Sequence, residues 1–214
     1  YNSISNSLNN NNSKLLYNNF NYMHKSLYLI LLNIVYINKK ENTFIQKIDK
    51  LLSFMHYDMN AIFVILLIIA SKFYELDDKV IFFGKVSEIN KKTIPRLKNM
   101  AWDLALIRML EYSFKLRPNL NAEFYISYFL TFDKGLSQII DFFPLKTIFT
   151  LEKDNFFQTI PYIEIINFFK QNNLDEKYYS NEAREFRRNN LDKTESKYDY
   201  LISQMEYKIE EFYK

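Results

Sequence analysis

The chain has 214 residues, 48% of them apolar and 18% aromatic, which supplies a sizeable core and excludes wholesale disorder. Only 2 Gly and 4 Pro leave no glycine-rich loop for a Rossmann fingerprint or a P-loop, and the lack of Cys excludes disulfides, cysteine zinc sites and thiol nucleophiles. The net charge of +3 is unevenly spread: residues 1–100 carry 13 Lys and Arg against 7 Asp and Glu, which permits a polyanionic partner without demanding one.

Residues 1–21 hold nine Asn and read as a disordered low-complexity lead-in. They do not resemble a signal peptide, so a cytoplasmic location is expected. The first residue is Tyr1, not Met, and an upstream segment is expected to be missing. From Lys25, Leu27, Ile30, Leu31, Ile34 and Val35 follow helical spacing. A second helix is predicted from about Glu41 to Tyr57, with Phe44, Ile45, Ile48, Leu51, Leu52 and Met55 on one stripe. Asp58 or Asn60 then caps a third, which contains the ten apolar residues Ala61–Ala70. Ten fall short of the roughly 20 needed to span a bilayer, so this segment reads as a buried central helix and no membrane association is expected.

Val80–Phe83 reads as a short buried strand, and Glu88 to about Leu116 as a long helix with Pro95 near its start. Phe124–Phe132, aromatic and β-branched, is the strongest predicted strand and should lie inside a sheet. A short helix through Ile140, a strand Lys146–Leu151, a helix near Ile160–Lys170 and a last helix from about Lys197 complete the chain. The expected fold is α/β: helix-rich, with a small, mainly parallel sheet and a helical C-terminal tail. Residues 22–155 would form the α/β domain and 156–214 the helical extension.

Two acids stand out. Asp133, in Thr131-Phe132-Asp133-Lys134-Gly135, lies just past the predicted strand, where open α/β sheets place ligands. Asp103 sits among core-type residues in Trp102-Asp103-Leu104-Ala105-Leu106-Ile107. If they converge on one cleft, they offer a hard oxygen site suited to Mg²⁺ or Mn²⁺. Each also has a simpler reading, Asp133 as a helix N-cap and Asp103 as a helix-face acid paired with a neighbouring cation.

The order helix with Asp103-Leu104-Ala105-Leu106-Ile107, then strand, then Thr131-Phe132-Asp133 resembles the second half of PIN-domain nucleases, over about residues 90–142. The resemblance implies a metal-dependent endoribonuclease. Asp103 and Asp133 would be catalytic and, with Asp58, metal-binding; Thr131 would help orient the site. Lys134 could neutralise the scissile phosphate, and Lys91, Lys92 and Arg96, in a cluster with Lys85 and Lys98, would contact RNA phosphates. The leading strand of such a domain is not legible and would lie upstream of Tyr1, as a missing segment or a second chain. The alternative is a non-catalytic helical interaction module, or a degenerate nuclease domain in an assembly, marked by an exposed apolar patch.

Overall fold

A single long helix runs through the middle of the molecule. The computed structural model describes residues 10–113, 130–142, 145–151, 156–161, 169–170, 174–191 and 197–214. Helix α1 (Asn10–Lys40) is apolar on every side from Leu27 to Val35 except at Asn33, and all nine of those residues are buried. A helix without a polar face must be covered all round. α2 (Phe44–Tyr57), α3 (Val64–Leu76), α5 (Thr93–Ser113) and α9 (Tyr198–Glu210) supply that cover. Two polar side chains inside this zone turn back on their own helix: Ser26 Oγ donates to the Tyr22 carbonyl at 2.9 Å and Asn33 Nδ2 to Leu29 at 3.0 Å. Both groups are thus buried without loss of their hydrogen bonds. Lys39 and Lys40 close α1 at its negative dipole end.

α2 starts at a capping box, with Thr43 Oγ1 accepting from the Gln46 N–H and Gln46 Oε1 accepting from the Thr43 N–H. It buries Ile48, Leu51, Leu52, Met55 and His56. Asn60, at φ 50°, then breaks the helical path before α3. A 3₁₀ turn (Asp77–Lys79) leads into the single-turn helix α4 (Ile81–Gly84). α4 packs against α6 (Lys134–Asp141). Gln138 bridges the two: its Oε1 accepts from the Ile81 N–H at 2.8 Å and its Nε2 donates to the Lys79 carbonyl at 3.2 Å. Strands β1 (Leu145–Leu151) and β2 (Phe156–Pro161) form an antiparallel hairpin, with Leu151 opposite Phe156 and Thr147 opposite Ile160. α7 (Leu174–Tyr179) and α8 (Asn181–Asn190) dock on α2.

The expected α/β fold is corrected by this architecture. Among the described residues the only sheet is the two-stranded antiparallel hairpin, and the core is helical. Residues 124–129 of the predicted interior strand lie outside the described residues. Its end, Leu130–Phe132, is not strand, and Leu130 and Phe132 are 83% and 95% exposed. Among the described residues no sheet edge lies beside Asp133 for an upstream strand to join. Val80–Phe83, read as a strand, is instead the entry to α4, because a short apolar run fits a buried helical turn as well as a strand. The lead-in is helical from Asn10, since adding turns to an existing helix costs little. Phe20 and Tyr22 also find aromatic partners in Trp102 and Tyr198. The central helix is α1, not the Ala61–Ala70 segment, which starts at Val64 and packs on one side of it. The last helix joins the main core through Tyr198, Met205 and Ile209.

Gly135 marks the closest backbone approach. A Cβ there would lie 3.0 Å from Phe82 Cα and 3.1 Å from Phe82 N, both backbone atoms of α4. Gly135→Ala is expected to destabilise the fold by about 1–3 kcal/mol, because the two helices must separate. Denaturant unfolding followed by circular dichroism checks this.

Candidate functional site

Asp133 is the N-cap of α6. Its Oδ1 accepts from the Leu136 N–H at 3.0 Å, and its own N–H donates to Thr131 Oγ1 at 3.1 Å. The capping reading therefore describes one carboxylate oxygen, and Thr131 supports the cap by accepting from the Asp133 N–H. The other oxygen lies 4.0 Å from Lys85 Nζ. Asp103, half-buried on α5, comes close enough to Asp133 for the two charges to interact. Burial first, and then the Asp133 charge, hold the Asp103 carboxyl above the ordinary carboxylate value, while Lys85 pulls it down. The two acids singled out in the sequence are thus coupled through their charges.

Asp58 is not with them. It is exposed and ends α2, its N–H donating to the Phe54 carbonyl at 3.0 Å, so it is a C-cap where an N-cap of the next helix was expected. Helix α3 has no side-chain cap at all. Among the described residues no three His, Cys, Asp or Glu side chains are grouped to hold a metal ion. Two acids, one of them engaged as a cap and both within reach of Lys85, do not fit a Mg²⁺ or Mn²⁺ centre, which needs several free oxygens. No step is derived through a metal.

Electrostatics here give a direct expectation. Because the folded-state value for Asp103 is raised, its charge subtracts stability at neutral pH, and that stability returns as pH falls through the raised value towards the ordinary 3.8. Asp103→Asn should therefore raise stability by about 0.5 kcal/mol, roughly 1–2 °C in Tm. Asp133→Ala should lower it by about 1 kcal/mol through loss of the cap, whereas Asp133→Asn, an equally good cap, should change little. Thermal unfolding of the three variants separates capping from charge repulsion.

The basic cluster surrounds the start of α5. Asn90 organises the entry: its Oδ1 accepts from the Lys92 N–H, and its N–H donates to Thr93 Oγ1, both at 2.9 Å. This turn leaves Lys91 and Lys92 exposed, with no acid paired to either among the described residues. Arg96 donates to the Lys85 carbonyl, and Lys98 contacts Glu206 Oε1 at 3.1 Å. The same glutamate oxygen accepts from the Tyr28 hydroxyl at 2.6 Å, tying α1, α5 and α9 together. Lys134 is exposed in the first turn of α6. Pro95 lies in the first turn of α5, where its missing N–H costs nothing.

No family model, curated protein or solved structure matches this chain. Among the described residues no helix is long and apolar enough to cross a membrane.

The outer side of α5 carries a feature that the sequence reading did not single out. Leu97, Met100, Ala101, Leu104, Ala105 and Ile107 face the core, yet Trp102, Leu106 and Met109 stand on the opposite side, 41%, 47% and 46% exposed. Spacings of four and three residues put these three on one stripe. His24 stacks on the Trp102 ring at 3.9 Å, and Phe20 packs against it at 5.2 Å. Leu130 and Phe132, just before α6, are also exposed. The available signal was a helix apolar on both sides, which requires either complete burial or a second surface to cover it.

Proposed function

We propose that this chain is a non-catalytic helical interaction module that docks a protein partner on the outer face of α5. The observation that carries this reading is the exposed apolar stripe Trp102, Leu106 and Met109 on the outer face of α5. Contiguous exposed apolar side chains rimmed by charge are the mark of a protein-binding surface. A single exposed leucine needs no explanation, but three large apolar groups on one helix stripe do.

A metal-dependent endoribonuclease of PIN type is the competing reading, favoured by the approach of Asp103 to Asp133. The cap at Asp133 and the cation at Lys85 account for the same pair without a metal. The two readings separate in one experiment. Peptides selected from a random library on the immobilised chain should lose binding to Leu106→Asp, a surface change that leaves the melting temperature in place. Cleavage of RNA in Mn²⁺, lost in Asp103→Asn, would contradict the module and restore the nuclease.

A further inference from the structure

Resting on the interaction-module reading, we infer that the partner segment is an amphipathic helix carrying acidic side chains at the end that lies over Lys91 and Lys92. The stripe from Trp102 to Met109 extends along two turns of α5, about 10 Å, the length over which one helix packs against another. The charge at its amino-terminal end is mostly positive, whereas Asp103 flanks the stripe further along α5. Residues 85–98 hold Lys85, Lys91, Lys92, Arg96 and Lys98 against the single acid Glu88. Helical spacing sets Lys98 on one flank of the stripe and Arg96 on the other, with Lys91 and Lys92 beyond its amino-terminal end. The positive end of the α5 dipole lies at the same place. A partner with apolar groups for the stripe and carboxylates for the lysines satisfies both halves of the surface. Charge complementarity of this kind fixes orientation and accelerates encounter.

Other occupants match less of the surface. A nucleic acid would use the lysines, but Leu106 and Met109 give bases nothing to stack on, and the Trp102 ring already carries His24 at 3.9 Å. A second copy of this chain would offer those lysines Asp103 and Asp133, and Asp133 is already engaged as a cap and lies 4.0 Å from Lys85.

Trp102 is the only tryptophan in the chain, so its emission reports on this face. Two tryptophan-free peptides of about 18 residues, helical and sharing one leucine stripe, would be titrated into the full chain, one ending in four Glu and the other in four Lys. The acidic peptide is expected to shift Trp102 emission to the blue and to bind at least about ten-fold more tightly than the lysine peptide. That advantage should shrink when salt rises from about 50 to about 300 mM. Lys91→Glu with Lys92→Glu should invert the preference, and Leu106→Asp should abolish binding of both peptides, with circular dichroism confirming that each variant is folded. Equal affinity for the two peptides would overturn the acidic partner while leaving the docking face. No response to either would overturn the docking face as well. Tighter binding of a single-stranded RNA oligonucleotide, or a blue shift with chain concentration alone accompanied by a dimer in ultracentrifugation, would assign the face to nucleic acid or to a second copy and overturn the proposal.

Discussion

Leu31→Ala should lower the unfolding free energy by about 3–4 kcal/mol, roughly 8–12 °C in Tm for a chain of this length. Leu31 lies fully buried in the middle of α1, where the covering helices meet. Removing its branched end leaves a cavity that no single neighbour can fill, because the surrounding side chains belong to different helices with their own constraints. Ile45→Ala, half exposed on α2, should cost well under 1 kcal/mol by comparison. Urea unfolding of the two variants side by side checks that α1, and not the Ala61–Ala70 segment, is the centre of the fold.

Arg187→Ala should be the next most damaging, at about 2–3 kcal/mol. Arg187 donates to His56 Nδ1 at 2.9 Å and to the Tyr178 carbonyl at 2.6 Å, so one guanidinium holds α7 and α8 against α2. Arginine is always a donor, so Nδ1 of His56 accepts and its proton sits on Nε2. His56 is buried, with Tyr57, Tyr178 and Phe186 around its ring. Burial first, then the charges of Arg187 and Lys177, hold its pKa below the ordinary 6.5. His24 is shifted the same way, chiefly by burial. A histidine with a lowered folded-state value contributes stability that is complete above pH 6.5 and is lost as pH falls towards that lowered value. The wild-type chain should therefore melt at lower temperature at pH 5.5 than at pH 7.5. Arg187→Ala should show a weaker pH dependence, because the neutral imidazole has lost its donor. An unchanged slope in the variant would mean that burial, not the Arg187 charge, sets the His56 shift. Lys177 and Tyr178 hold the same corner from the other side, both bonded to Asp49 Oδ1, at 2.8 and 2.7 Å.

Helices with a one-sided apolar stripe were legible in the sequence, as was the strand Lys146–Leu151, which is β1, but the parallel sheet expected around it is not there among the described residues. α2 follows its predicted stripe except at Ile45, which is half exposed. Met205 and Ile209 anchor α9 as their spacing suggests, and Tyr198 joins them through its stack on Tyr22 at 5.1 Å. Short apolar runs failed because they carry no period: Val80–Phe83 fits a strand or a helical turn equally well, and the tertiary contact with α6 chose the turn. Aromatic content is a weak strand signal in a chain with 20 Phe and 17 Tyr, and Leu130–Phe132, the described end of the aromatic and β-branched run, is not strand. Asp103 and Asp133 were recognised as a pair, but the residue types could not distinguish a metal site from a cap beside a lysine. The α5 stripe was invisible as a surface because Trp102, Leu106 and Met109 look like core residues. Only the position of α1 shows that they point away from it.

Hydroxyl-radical footprinting of the full chain, read by mass spectrometry, tests the open face of α5 most directly. The chain has six methionines. Met109 is 46% exposed, whereas Met55, Met59, Met100 and Met205 are 0–5% exposed. Strong labelling of Met109, Trp102, Leu106 and Phe132, with Met55 and Met100 protected, is the predicted result. Met109 and Leu106 protected to the level of Met100 in the isolated chain would mean that the face is already covered, and would contradict the account of this protein as a docking module.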